Sequence, residues 1–295
     1  MTSHLEATSA SRYLVDLARR NAGVYANLPM TRAIIVAGSA AQGVADFYSD
    51  LDMMVYYDKL PTIEELSAAV AHNGGINRRV LAERTDSEFM EQFTLRGVEC
   101  QIAHCTVVAW ERDMTSVLEQ FDVTSPTQKA LSGVLEAIPL HGELLVQLWQ
   151  AKIAAYPDAL ARAMVNHYLN FFPLWGLRDS LLTRDATVWV QKMFTEAAEN
   201  VLGVLAGLNH VYYSPFQLKR MHRLLGKMSI QPPRCGDRID ALFVGDVTKA
   251  LAVFEPLVEE TIGLVESYMP QIDTTRAKRR LGWRQTVWEP VIIKT

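Results

Sequence analysis

The chain has 295 residues, 49% of them hydrophobic, which is enough to bury a substantial core and suits two domains of ordinary size. Its 33 acidic and 29 basic residues leave a net charge of −4, so there is no blanket attraction for nucleic acid or anionic membrane. Cys100, Cys105 and Cys235 are odd in number and lack CxxC spacing, which argues against a disulfide framework or a four-cysteine zinc site. The first twenty residues lack an apolar signal-like region and no apolar run is long enough to span a bilayer, so a cytoplasmic protein is expected.

In chain order, apolar periodicity predicts a helix over Ala10 to Arg20, then strands over Ala33 to Ala37 and Leu51 to Tyr57. A helix follows from about Thr62, with Glu64 and Glu65 in its first turn, where acids complement the helix dipole. Further strands are expected around Arg79 to Glu83 and Val98 to Val108. Beyond about residue 130 a helical period takes over. Val190, Phe194, Ala197, Val201, Val204 and Leu208 form one stripe; Phe216, Met221, Leu224, Leu225 and Met228 form another; Leu251, Phe254, Leu257, Val258 and Val265 form a third. Pro157 with Asp158 suits a helix start, and Pro173 should break what precedes it. The chain is therefore read as α+β over 1–130, followed by a helical bundle over 131–295.

Two aspartates stand out within the second strand segment. Asp50, Asp52 and Met54 point to one face while Leu51, Met53 and Val55 point to the other, into the core. Like charges on one face repel unless something positive sits between them. Two carboxylates on a rigid strand make a hard-oxygen site suited to Mg²⁺ or Mn²⁺, which accept substrate phosphates in their remaining positions. Gly38 and Ser39 end the preceding strand, where a backbone N–H and a hydroxyl can hold a phosphate.

Gly38-Ser39, a loop containing Gly43, and then Ser49-Asp50-Leu51-Asp52 resemble the signature of the nucleotidyltransferase superfamily, the group with a DNA polymerase β-like fold. The segment "LNHVYYSPFQLKRM" resembles, more loosely, one found in bacterial antibiotic nucleotidyltransferases of the aminoglycoside and lincosamide type, where an Asn and a Lys flank an aromatic pair. The resemblance implies a catalytic domain with a mixed sheet followed by an acceptor-binding helical bundle. It also implies a third carboxylate on a neighbouring strand. Glu99 is the favoured candidate; Gln101 shares its face, and if Gln101 is the true counterpart the metal loses a ligand. Gln42 stands where relatives often carry a basic residue.

On that pattern Asp50, Asp52 and Glu99 would hold two Mg²⁺ (or Mn²⁺) ions, and a nucleoside triphosphate, ATP first, would give its nucleotidyl group to a hydroxyl and release pyrophosphate. Gly38, Ser39 and Ser49 would contact the nucleotide, with Lys219 and Lys152 neutralising the triphosphate across a cleft. Asn209 and Tyr212 would contact a small hydroxylated acceptor, an antibiotic being the family-level expectation. Two alternatives stay open. One is an RNA- or tRNA-directed, toxin-like enzyme using the basic run Arg276, Lys278, Arg279, Arg280 and Arg284 with Trp283 and Trp288; the other is a degenerate, nucleotide-binding regulator. Neither oligomeric state, monomer or homodimer, is favoured. His104 beside Cys105 does not read as a chelating pair, because adjacent strand residues face opposite ways.

Overall fold

The computed structural model describes residues 7–288, so Met1 to Glu6 of the N-terminal stretch lie outside the described residues. The chain divides into two compact units, Met1–Tyr156 and Pro157–Thr295.

In the first unit α1 (Ser9–Ala26) begins at Thr8, whose side chain caps the amide of Ser11. It is followed by β1 (Thr31–Val36), the four-residue turn α2 (Gly38–Ala41) and β2 (Leu51–Tyr57). Next comes α3 (Ile63–His72), set by a capping box in which Thr62 and Glu65 satisfy each other's backbone amides. Three strands, β3 (Ile76–Ala82), β4 (Glu88–Leu95) and β5 (Val98–Thr106), lead into α4 (Val107–Leu118) and α5 (Thr127–Leu135). The unit closes with β6 (Ile138–His141) and α6 (Glu143–Ala154).

The strands form one six-stranded sheet in the order β3-β4-β5-β2-β1-β6. β2 and β5 run parallel and every other pair is antiparallel, so the expected mixed sheet is present. Alternation along β2 divides its side chains between two cores. Leu51, Met53, Val55 and Tyr57 join Ile34, Val36, Cys100 and Ile102 beneath α1 and α3. On the other face Tyr56 lies 4.7 Å from the Trp149 ring of α6 and 5.7 Å from the Trp110 ring of α4. Because β6 pairs with β1 and α6 buries Val146, Trp149 and Ile153, residues 131–156 belong to the sheet-bearing unit. The compact unit therefore reaches beyond the compositional change near residue 130.

The second unit is helical: α7 (Asp158–Tyr168), α8 (Arg178–Leu182), α9 (Thr187–Leu208), α10 (Met221–Leu225), α11 (Cys235–Asp240), α12 (Val247–Tyr268) and α13 (Thr275–Leu281). α7 and α9 approach closely because α9 presents glycines. A Cβ on Gly203 would sit 2.2 Å from the Tyr168 ring, and one on Gly207 would sit 2.8 Å from Val165. The stripe from Phe216 to Met228 is not one helix: a 3₁₀ segment, Pro215–Arg220, precedes the short α10, and Phe216 is exposed. Three members of the basic run are engaged within this unit. Arg280 donates to Asn170 Oδ1 at 2.6 Å and to Phe171 O at 2.9 Å, while Lys278 pairs with Glu266 and Arg284 with Glu255. Among the described residues no helix is long and apolar enough to cross a membrane.

Candidate functional site

The site is built at the start of β2, where the chain leaves the loop after α2. Asp50 precedes the strand, and Asp52 is its second residue, half-buried on the face opposite the α1–α3 core. The Ala37 amide donates to the Asp52 carbonyl at 3.0 Å, which pins the end of β1 beside the acids. Gly38 follows with φ +62, and a Cβ there would stand 2.2 Å from Asp52 Oδ2. Only glycine combines this left-handed backbone with such close approach to a carboxylate, so the Gly38-Ser39 turn forms a wall directly against Asp52.

Asp52 carries the electrostatic signature of the site. Its carboxyl is pushed up to about 6, first by burial and then by the neighbouring Asp50 charge, with Lys129 of α5 opposing the shift. Lys129 is the cation that sequence reading passed over. It lies near residue 130, where no motif marks it, and only the packing of α5 brings its charge to bear on Asp52. The same helix is tied to the glycine turn, since Gln42 Nε2 donates to Glu136 Oε2 at 2.5 Å.

On β5, Gln101 stands directly beside Asp52 in the parallel register. Its Nε2 donates to Asp50 Oδ2 at 3.0 Å and to Glu99 Oε1 at 3.4 Å. Glu99 lies one alternate position further back, opposite Thr94 of β4; its side chain is 49% exposed and reaches Arg79 at 3.9 Å. Among the described residues no three His, Cys, Asp or Glu side chains gather as a metal-holding group. The expected cluster of Asp50, Asp52 and Glu99 does not gather as one group; the Gln101 amide bonds to both Asp50 and Glu99. Two carboxylates beside a glycine turn are a donor set of the hard-oxygen kind that a divalent cation takes.

The remaining predicted residues are placed elsewhere or engaged locally. Ser49 Oγ donates to Asp46 Oδ1 at 2.9 Å and accepts from the Asp46 amide at 3.0 Å, ordering the loop before Asp50. Lys152, in the first unit, pairs with Glu119 at 3.0 Å. Lys219 is exposed in the 3₁₀ segment of the second unit. Asn209 ends α9: its Nδ2 donates to the Leu205 and Ile230 carbonyls at 2.8 Å each, and its Oδ1 accepts from the Ile230 amide at 2.9 Å. Tyr212 is 2% exposed and packs within that unit, so neither residue presents an open face to an acceptor. His104 is buried at the other side of the sheet, accepting no metal role: its Nδ1 meets Tyr57 Oη at 2.9 Å and its Nε2 meets Glu91 Oε1 at 3.1 Å.

The sequence matches no family model and no curated protein sequence. Among solved structures it is similar to a nucleotidyltransferase-like protein from Exiguobacterium sibiricum, with 12% identity over 88% of this chain and 81% of that one, at a TM-score of 0.41. It is also similar to terminal uridylyl transferase 4 from Trypanosoma brucei, solved with dUTP and with GTP. Both comparisons give 13% identity and a TM-score of 0.28, over 90% and 92% of this chain and 70% of that one. Likenesses this distant leave the chemistry to be read from the side chains of the site.

Proposed function

We propose that this protein is a nucleotidyltransferase whose first unit binds a nucleoside triphosphate with a divalent cation at Asp50 and Asp52. The observation that carries the proposal is the junction of those two acids with the Gly38 turn, where no side chain fits against Asp52 Oδ2. Burial first, and then the Asp50 charge, make the ionised Asp52 costly, and a cation relieves both. Mg²⁺ or Mn²⁺ bound there would neutralise phosphate charge and polarise the phosphorus–oxygen bond. Gly38 and Ser39 contribute a backbone approach and a hydroxyl for the phosphates, and Lys129 supplies positive charge that acts on Asp52. The overall change joins an acceptor oxygen to the α-phosphorus, breaks the bond to the β-phosphate and releases pyrophosphate, with the hydroxyl proton passing to solvent.

The acceptor we propose is a small hydroxylated molecule, an antibiotic being one class to test. The net charge of −4 and the engagement of Lys278, Arg280 and Arg284 within the second unit disfavour an RNA substrate. ATP is the first triphosphate to test. Mass spectrometry of a hydroxylated small-molecule panel, incubated with the protein, Mg²⁺ and each triphosphate, should reveal a gain of one nucleotide on one compound. The gain should vanish with Asp52→Asn. A gain that survives in that variant removes the site from Asp52. A second reading, a nucleotide-binding regulator without transfer, draws on Gln101 in place of a third acid. It predicts triphosphate binding with no product on any acceptor.

A further inference from the structure

We infer that Gln101 restricts the triphosphate site to a single divalent cation. This rests on the proposed function and specifies the state of that same site. The parallel register sets Gln101 of β5 immediately beside Asp52 of β2, on the face that carries the acids. A residue at that register position is the β5 neighbour nearest Asp52 in the sheet. It is an amide, and it is already engaged. Its Nε2 lies 3.0 Å from Asp50 Oδ2 and 3.4 Å from Glu99 Oε1, so a neutral NH₂ group stands between two carboxylates. Carboxylates only accept hydrogen bonds, which fixes the amino end of the amide toward them.

A second cation would have to displace that donor and would find in its place a carbonyl oxygen without charge. Mg²⁺ gives up its hydration shell reluctantly and favours anionic oxygen, so the exchange is unfavourable. Glu99 does not compensate. It is half exposed, its Oε2 faces Arg79 at 3.9 Å, and it lies on the far side of the Gln101 amide from Asp50. The acceptor hydroxyl consequently has no second ion to acidify it, and transfer is slow while triphosphate binding is intact.

The test is a Mn²⁺ titration of the full chain followed by electron paramagnetic resonance, in the presence of α,β-methylene-ATP, which cannot transfer its nucleotide. The wild type should bind one Mn²⁺ per chain with no spin–spin coupling, and Glu99→Gln should leave that stoichiometry unchanged. Gln101→Glu should bind two, with a coupled spectrum, and should raise the transfer rate on any identified acceptor by tenfold or more. Two coupled ions in the wild type, or a fall in stoichiometry with Glu99→Gln, would overturn the inference while leaving the triphosphate site standing. Failure of the wild type to bind either Mn²⁺ or the analogue would overturn both. If Gln101→Glu fails to fold, the wild-type and Glu99→Gln stoichiometries decide the matter alone.

Discussion

At the scale of the residue, Asp52 links stability to function with opposite signs. Its folded pKa of about 6 exceeds the ordinary 3.8, so in the metal-free protein the ionised form opposes folding. The favourable contribution of the protonated acid is present below pH 3.8 and is lost as pH rises through about 6. Discounted for partial exposure, the cost at neutral pH is on the order of 2 kcal/mol. Asp52→Asn should therefore stabilise the metal-free protein at pH 7 and have little effect at pH 3.5, as measured by urea denaturation at the two pH values. The same change should abolish Mg²⁺-dependent transfer. Gly38→Ala should behave differently: the left-handed backbone costs a side chain about 1 kcal/mol, and the added methyl must push Asp52 aside. A lowered Tm together with weakened triphosphate affinity is expected, measured by thermal unfolding with and without Mg²⁺ and ATP.

At the scale of the element, two clusters away from the acids each stabilise the unit that contains them. Between β3, β4 and β5, Arg78 Nε donates to Glu91 Oε2 at 2.5 Å, and Glu91 in turn accepts from His104, which faces Tyr57 Oη. Burial depresses the His104 pKa below 6.5 in spite of Glu91, so the ring is neutral, with Nε2–H toward the carboxylate and Nδ1 accepting from the tyrosine. Because the unfolded chain takes up that proton first, stability should decline as pH falls below about 6.5. Glu91→Leu strands the Arg78 charge and should cost about 3–5 kcal/mol in urea unfolding. In the second unit Asn209→Ala removes the bonds joining the end of α9 to Ile230 and should cost about 1–3 kcal/mol, with no change in triphosphate affinity.

Which of these elements sequence reading reaches follows from how local their causes are. β2 was legible residue for residue because its apolar alternation and the flanking turn lie within one short window. The start of α3 was legible because its capping box is local. β4 escaped notice because Glu91 and Gln92 are buried within it, and buried polar residues break the apolar pattern that marks a strand. β6 is four residues long with Pro139 inside, an edge strand whose identity comes from pairing with β1. Within the site, the two acids and the glycine turn were visible as a motif. The choice between Glu99 and Gln101 was not, because it depends on the register of β5 against β2, and Lys129 depends on the packing of α5.

At the scale of the whole molecule, the C-terminal basic segment has a structural part within the second unit. Arg280 ties α13 to Asn170 and Phe171, Trp175 Nε1 donates to the Arg280 carbonyl at 3.2 Å, and Trp283 fills the space left by Gly176. Truncation at Thr274 should lower the Tm of the second unit's transition and expose tryptophan fluorescence, rather than remove a dispensable tail. The central claim concerns the first unit: Asp50 and Asp52 form a divalent-cation-dependent triphosphate site. Isothermal titration of the full chain with ATP, with and without Mg²⁺, tests it most directly when repeated on the Asp50→Asn/Asp52→Asn double variant. Saturable binding that requires Mg²⁺ and disappears in the folded double variant is the predicted result. Binding of equal strength in the double variant, or binding indifferent to Mg²⁺, would contradict it.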